Sequence, residues 1–137
     1  MVMHLQHPAF DSVQFVDLIV AERQAGRNAA FFNALHDEWK ARVEHYVANS
    51  GSPQAVQKWP AIGINDIGKF LNLYNAPAEG SLHKAMLSQL RDHTLNLCPA
   101  CGEAGHPNTL DHYLPKKLYP HLCITPSNLF PMCDACQ

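Results

Sequence analysis

The residue types best suited to chemistry sit toward the C-terminal end of the sequence. Cys98-Pro-Ala-Cys101-Gly102 is followed by thirty-one residues after Cys101 and then by Cys133-Asp-Ala-Cys136. Four thiolates so arranged can close a tetrahedral structural zinc site with no open position. Gly102 suits the tight turn of such a knuckle, because glycine adopts positive φ freely. The competing readings are four ordinary buried cysteines or a redox pair. A lone C-x-x-C would leave them open, whereas two pairs in a chain without a secretion signal argue for metal. His106 and His121 are weaker substitutes for a place in the zinc shell. Cys123 breaks the pairing pattern and reads as a buried thiol behaving as a small hydrophobe. Few apolar residues separate the two pairs, so this part is expected to need zinc in order to fold.

Between the pairs runs Thr109-Leu-Asp-His-Tyr-Leu-Pro-Lys-Lys117. Phosphodiester hydrolysis needs a base to deprotonate water and a divalent ion to stabilise charge on the phosphate and leaving oxygen. A neutral His112 suits the first task near pH 7, and the Asp111 carboxylate suits a hard cation. Lys116 and Lys117 could contact backbone phosphates. Successive side chains of a strand point to opposite faces. Asp111 and His112 therefore share one site only if the strand end twists, or if a metal and a phosphate lie between them. Taken alone, an Asp-His pair is far more often a surface pair than a site.

The pair is embedded in a longer pattern. Cys-Pro-x-Cys-Gly, then Thr-Leu-Asp-His-Tyr-Leu-Pro-Lys, Tyr-Pro-His-Leu, and Pro-Ser-Asn-Leu-Phe-Pro-Met-Cys-x-x-Cys resembles the zinc-containing branch of the HNH endonucleases over residues 98–137. The resemblance implies a ββα-metal fold, in which a β-hairpin and a helix grip one catalytic divalent ion (Mg²⁺ or Mn²⁺) against the scissile phosphate. By the same resemblance His112 activates water and Asp111 binds the catalytic ion. Asn128 fixes the hairpin loop and helps orient the histidine, and Cys98, Cys101, Cys133 and Cys136 hold structural zinc. The family's remaining signature residue lies on a helix starting near the second C-x-x-C. Here the place just after Cys136 is Gln137, the last residue of the sequence, so that helix is expected to be truncated or missing.

These residues must be positioned by what precedes them. Asp11 or Ser12 can cap a helix carrying Phe15, Val16, Leu18, Ile19 and Val20, which ends near Gly26. Asn28 opens a longer helix in which Phe31, Phe32, Leu35, Trp39, Val43 and Tyr46 recur at three- and four-residue steps. That stripe reads as core rather than cofactor site, although Trp39 and Tyr46 are also typical interface anchors. A weaker helix spans about Asn65 to Tyr74, and Ser81 caps another carrying Leu82, Met86, Leu87 and Leu90. Asp37-Glu38 and Arg91-Asp92 read as solvated helix faces. His4, His7, His36, His45, His83 and His93 show no ligand spacing among themselves, though His83 and His93 could approach the zinc part. From Cys98 onward, prolines at 99, 107, 115, 120, 126 and 131 exclude long helices, and Thr109–Leu114 and Asn128–Met132 suit brief strands.

The expected class is therefore α+β: a mostly helical region over residues 1–95, for positioning or partner binding, followed by a small zinc-stapled β-hairpin over 96–137. The formal net charge of −2 and sequence pI near 6.5 do not advertise a nucleic-acid binder, so phosphate contact must come from a local patch. No apolar stretch is long enough to span a membrane and no secretion signal opens the sequence, which makes the cytoplasm the simplest compartment. The resemblance implies a nucleic-acid substrate, DNA first, and a regulatory subunit such as an ATPase in a bacterial or phage defence system. The alternative is a non-catalytic zinc ribbon that binds nucleic acid or protein.

Overall fold

The computed structural model describes residues 10–93, 95–105 and 107–137. The Met1–Pro8 leader reading, His4, His7 and His106 lie outside the described residues. Four helices, α1 (Ser12–Glu22), α2 (Ala29–Ala48), α3 (Ile67–Asn75) and α4 (Leu82–Arg91), precede a two-stranded antiparallel sheet of β1 (Thr109–His112) and β2 (Leu129–Met132). The fold is α+β, as its residue patterns imply. Among the described residues no helix is long and apolar enough to cross a membrane.

Local chemistry explains where the helices start. The Asp11 carboxylate accepts the Val13 and Gln14 N–H groups at 3.0 and 3.1 Å, which satisfies two donors the first turn of α1 would otherwise leave free. Ser81 Oγ accepts the Lys84 N–H at 3.2 Å, and the Glu22 carboxylate reaches from the end of α1 to the Leu82 N–H at 2.9 Å. The start of α4 is thus held by its own cap and by another helix. Phe15, Val16, Ile19 and Val20 of α1 are buried, whereas Leu18, expected in the same stripe, stays 41% exposed. Phe32, Trp39, Val43 and Tyr46 form the buried face of α2, so this stripe is core.

Phe70 of α3 is the hub of an aromatic cluster. Its ring meets Phe31, Phe32 and Trp39 edge-on with centroids 5.5, 5.6 and 5.1 Å away. Each such pair contributes about 1 kcal/mol beyond area burial. Trp59, from the irregular segment between α2 and α3, joins at 6.1 Å.

The core does not stop at the cysteine-bearing part. Leu110, Leu114, Leu122, Cys123, Ile124 and Leu129 belong to the same buried cluster as the helices. The segment between the cysteine pairs is therefore better supplied with buried apolar groups than its composition suggests. They share that cluster with Phe70, Leu73, Met86 and Leu87 of the helices. Hydrogen bonds cross the same boundary: Trp39 Nε1 to the His121 carbonyl at 2.8 Å, Tyr46 Oη to Asn128 Oδ1 at 3.1 Å, Tyr74 Oη to the Leu110 carbonyl at 3.0 Å, and Cys123 Sγ to the Phe70 carbonyl at 3.0 Å. Cys123 is indeed a buried thiol, and burial pushes its pKa up to about 12.

Candidate metal centre and hairpin site

The strand register sets the site. Thr109 pairs with Met132, Leu110 with Pro131, Asp111 with Phe130 and His112 with Leu129. The Tyr113 N–H donates to the Asn128 carbonyl at 2.9 Å. By antiparallel alternation, Leu110/Pro131 and His112/Leu129 are then the non-hydrogen-bonded pairs. Pro131 is tolerated there because no ladder bond needs its missing N–H. For the same reason the Leu110 carbonyl and the His112 N–H point away from β2. The Leu110 carbonyl accepts Tyr74 Oη and, at 3.0 Å, Gln137 Nε2. The His112 N–H donates to Asp111 Oδ1 at 2.8 Å.

Asp111 and His112 lie on opposite faces of β1, with His112 inward and only 8% exposed. The strand supplies no direct contact between carboxylate and imidazole. His112 Nε2 lies 2.8 Å from the Cys123 carbonyl. A carbonyl only accepts, so Nε2 carries the proton and Nδ1 keeps its lone pair. Among the described residues no hydrogen bond engages Nδ1. The Tyr74 ring packs edge-on against the imidazole at 4.5 Å. Burial lowers the His112 pKa, partly opposed by the bond to Cys123, which favours the neutral form near pH 7. A neutral imidazole with a fixed tautomer and one lone pair left out of that hydrogen bond can accept a proton.

Asn128 is fully buried, and its side-chain hydrogen bonds go to groups other than His112. Its Nδ2 donates to the Leu114 and Leu122 carbonyls at 3.1 and 3.2 Å, while Oδ1 accepts the Leu114 N–H at 2.8 Å and Tyr46 Oη. Three of these four bonds fix the loop from Leu114 to Leu122, whose next carbonyl, that of Cys123, orients His112. Asn128 thus has a positioning geometry. Lys116 Nζ bonds Asn75 Oδ1 at 2.8 Å and lies 4.5 Å above the Tyr74 ring, and Lys117 is exposed.

The four paired cysteines converge at the other end of the hairpin. Their sulfurs all lie within 4.8 Å of one another, with Cys101 and Cys133 at 3.8 Å. A tetrahedral zinc with Zn–S of about 2.3 Å requires sulfur–sulfur separations of ~3.8 Å, so the donor set and spacing fit zinc. The first knuckle closes through the Gly102 N–H to the Cys98 carbonyl at 2.9 Å and the Cys98 N–H to the Glu103 carbonyl at 3.1 Å. Gly102 takes φ 75° to do so. The Cys133 N–H also points at Cys98 Sγ at 3.5 Å. Backbone donors from Cys133 and Cys101 lower the Cys98 pKa to about 6, whereas the neighbouring thiols push that of Cys136 up to about 12. His121 is not part of the cluster. It is fully buried with its ring edge-on to Trp59 at 5.4 Å. His93 does approach this part of the chain, through Nε2 to the Pro107 carbonyl at 2.6 Å.

Sequence reading missed Tyr74 and Arg91 as parts of this neighbourhood. Arg91 lies beside the Tyr74 hydroxyl. Tyr74 looked like one more helical aromatic, and Arg91 like a solvated end.

Fold and site together define a mixed α+β chain with a four-cysteine, zinc-competent centre beside a two-stranded hairpin. The chain is similar to protein ea31 of Escherichia phage lambda, with 44% identity over 40 residues, which is 29% of this chain and 14% of that protein. The match thus spans a small part of the relative's length. No family model matches the chain, and no solved structure matches it.

Proposed function

We propose that this protein is an HNH-type endonuclease that hydrolyses nucleic-acid phosphodiester bonds with a divalent metal. The observation that carries this reading is His112, whose Nε2 is held on the Cys123 carbonyl and whose Nδ1 lone pair no hydrogen bond engages among the described residues. That residue stands in the order Cys-x-x-Cys, Asp-His, Asn, Cys-x-x-Cys, which resembles the family. Nδ1 of His112 takes a proton from water as the water oxygen bonds to phosphorus. The bond to the leaving sugar oxygen breaks, and that oxygen takes a proton from solvent. A bound divalent ion supplies charge stabilisation at the phosphate. Asp111 would hold it, because among the described residues its Oδ1 takes the His112 N–H and no hydrogen bond engages Oδ2, and Mg²⁺ commonly takes only one or two carboxylates. The zinc tetrad clamps the hairpin and takes no part in the chemistry.

Within this reading the substrate is DNA before RNA. A phage relative suits a role in bacterial or phage defence, with a regulatory subunit such as an ATPase controlling cutting. That extension is analogy. A non-catalytic zinc module that binds nucleic acid or protein is favoured instead by one observation: among the described residues, no group of three or more metal-ligating side chains forms around Asp111. Cleavage of duplex and single-stranded DNA with Mg²⁺ or Mn²⁺ separates the two. Wild type is expected to cut and His112→Ala to lose cutting at unchanged zinc content. Equal behaviour of the two proteins refutes the nuclease reading.

A further inference from the structure

The chain carries a slight negative net charge, so attraction of a nucleic acid has to be local. Several cations already have carboxylate partners: Lys40 with Asp17, Arg42 with Glu38, Lys69 with Asp66, and Lys84 with Glu79. Among the described residues Arg23, Arg27, Lys58, Arg91, Lys116 and Lys117 have none, and the last three border β1. Lys116 and Lys117 follow the strand directly. Arg91 ends α4, which packs on both strands. Tyr74 gathers the group, with its hydroxyl on the Leu110 carbonyl and beside Arg91, its ring against His112 and under Lys116. One aromatic side chain therefore connects the imidazole to a cation from each part of the chain.

We infer that Arg91 is a phosphate-binding residue of the His112 site, contacting the nucleic-acid backbone across the Tyr74 ring from the position held by Lys116. An exposed guanidinium offers a planar fork that matches two phosphate oxygens, and it sheds water more readily than an ammonium. The helical region then supplies substrate contacts as well as support. The bland account of Arg91 is a cation answering the C-terminal dipole of α4. That account predicts an effect on stability and none on phosphate binding.

The inference rests on the reading of this hairpin as a nucleic-acid site, but on its binding half only. The test is fluorescence anisotropy of a labelled DNA duplex against the full chain over a salt series without divalent ions. Wild type, Arg91→Ala, Arg91→Lys and a control, Arg27→Ala, are compared at equal zinc content and circular dichroism. One lost phosphate contact reduces the slope of log K against log salt by about 0.9, and raises Kd about tenfold at ~50 mM salt. Arg91→Ala is expected to do both, Arg91→Lys to keep the wild-type slope, and Arg27→Ala to change neither. An unchanged slope in Arg91→Ala overturns the inference, whether or not affinity falls. Failure of wild type to bind overturns it together with the nuclease reading. Binding with the expected slopes but without His112-dependent cutting overturns the nuclease reading alone and supports the inference.

Discussion

Replacing Asn128 by alanine should be among the most damaging single changes in the chain. The side chain makes four hydrogen bonds, but the loss is unequal among its partners. The Leu122 carbonyl still has the Thr125 N–H at 3.3 Å, and Tyr46 Oη still has the Ser127 carbonyl at 3.2 Å. The Leu114 N–H and C=O keep no other partner among the described residues, and Leu114 is buried. A buried backbone group left unmatched costs about 1–3 kcal/mol, so two of them cost about 4 kcal/mol. Whole domains are stable by about 5–15 kcal/mol, which puts Asn128→Ala close to the limit of folding. Tyr46→Phe removes one donor while Asn128 Oδ1 keeps the Leu114 N–H, so about 1 kcal/mol is expected. Urea unfolding followed by tryptophan fluorescence measures both, with Trp39 and Trp59 in the core as reporters. If Asn128→Ala costs no more than Tyr46→Phe, the loop is not held as described, and the account of how His112 is oriented fails with it.

Removing zinc with a chelator should loosen the knuckles near residues 97–104 and 133–136 and leave the hairpin seated. In hydrogen exchange the Cys98 and Gly102 amides are expected to lose protection, while those of Val43 and Leu122 keep theirs. Global cooperative unfolding on chelation would show instead that zinc supplies the folding free energy of the whole. His83 gives a pH prediction. It is fully buried, and burial, followed by the nearby Arg23 charge, lowers its pKa from 6.5 to about 4 against the pull of Glu22. The unfolded chain then takes up the proton first, so this stability is complete above pH 6.5 and is lost as pH falls toward 4, by at most about 3 kcal/mol. His83→Gln should flatten the fall in urea midpoint across that range, and an equally steep fall in the variant would rule His83 out as its source.

The helices were legible because their signals are local. Asp11 and Ser81 cap where polar side chains can reach free N–H groups, and the α2 stripe repeats at helical steps. The cysteine tetrad was legible for a related reason, since C-x-x-C fixes two ligand positions through a few bonds. The surroundings of His121 and His112 were not. Trp59 and Val56 come from an irregular segment with no period to read, and only tertiary folding brings Tyr74 under Lys116. The shared core was hidden too. The run from Leu110 to Leu129 looks sparse between its prolines, and the surfaces that cover it lie many residues earlier. Arg91 beside Asp92 carries the pattern of a solvated end, and nothing in it discloses that α4 stops against β1.

The bonds that tie α2 and α3 to the hairpin have a practical consequence for anyone wishing to move it. An excised piece beginning near residue 96 would expose Leu110, Leu122 and Ile124. It would also strip Asn128 of its Tyr46 partner, and the His121 carbonyl of Trp39. This hairpin is not a portable cassette. A fusion or a minimal expression boundary has to keep the chain from Ser12 onward, because Ser12 Oγ itself bonds Ser127 Oγ at 2.7 Å, next to the asparagine that holds the loop.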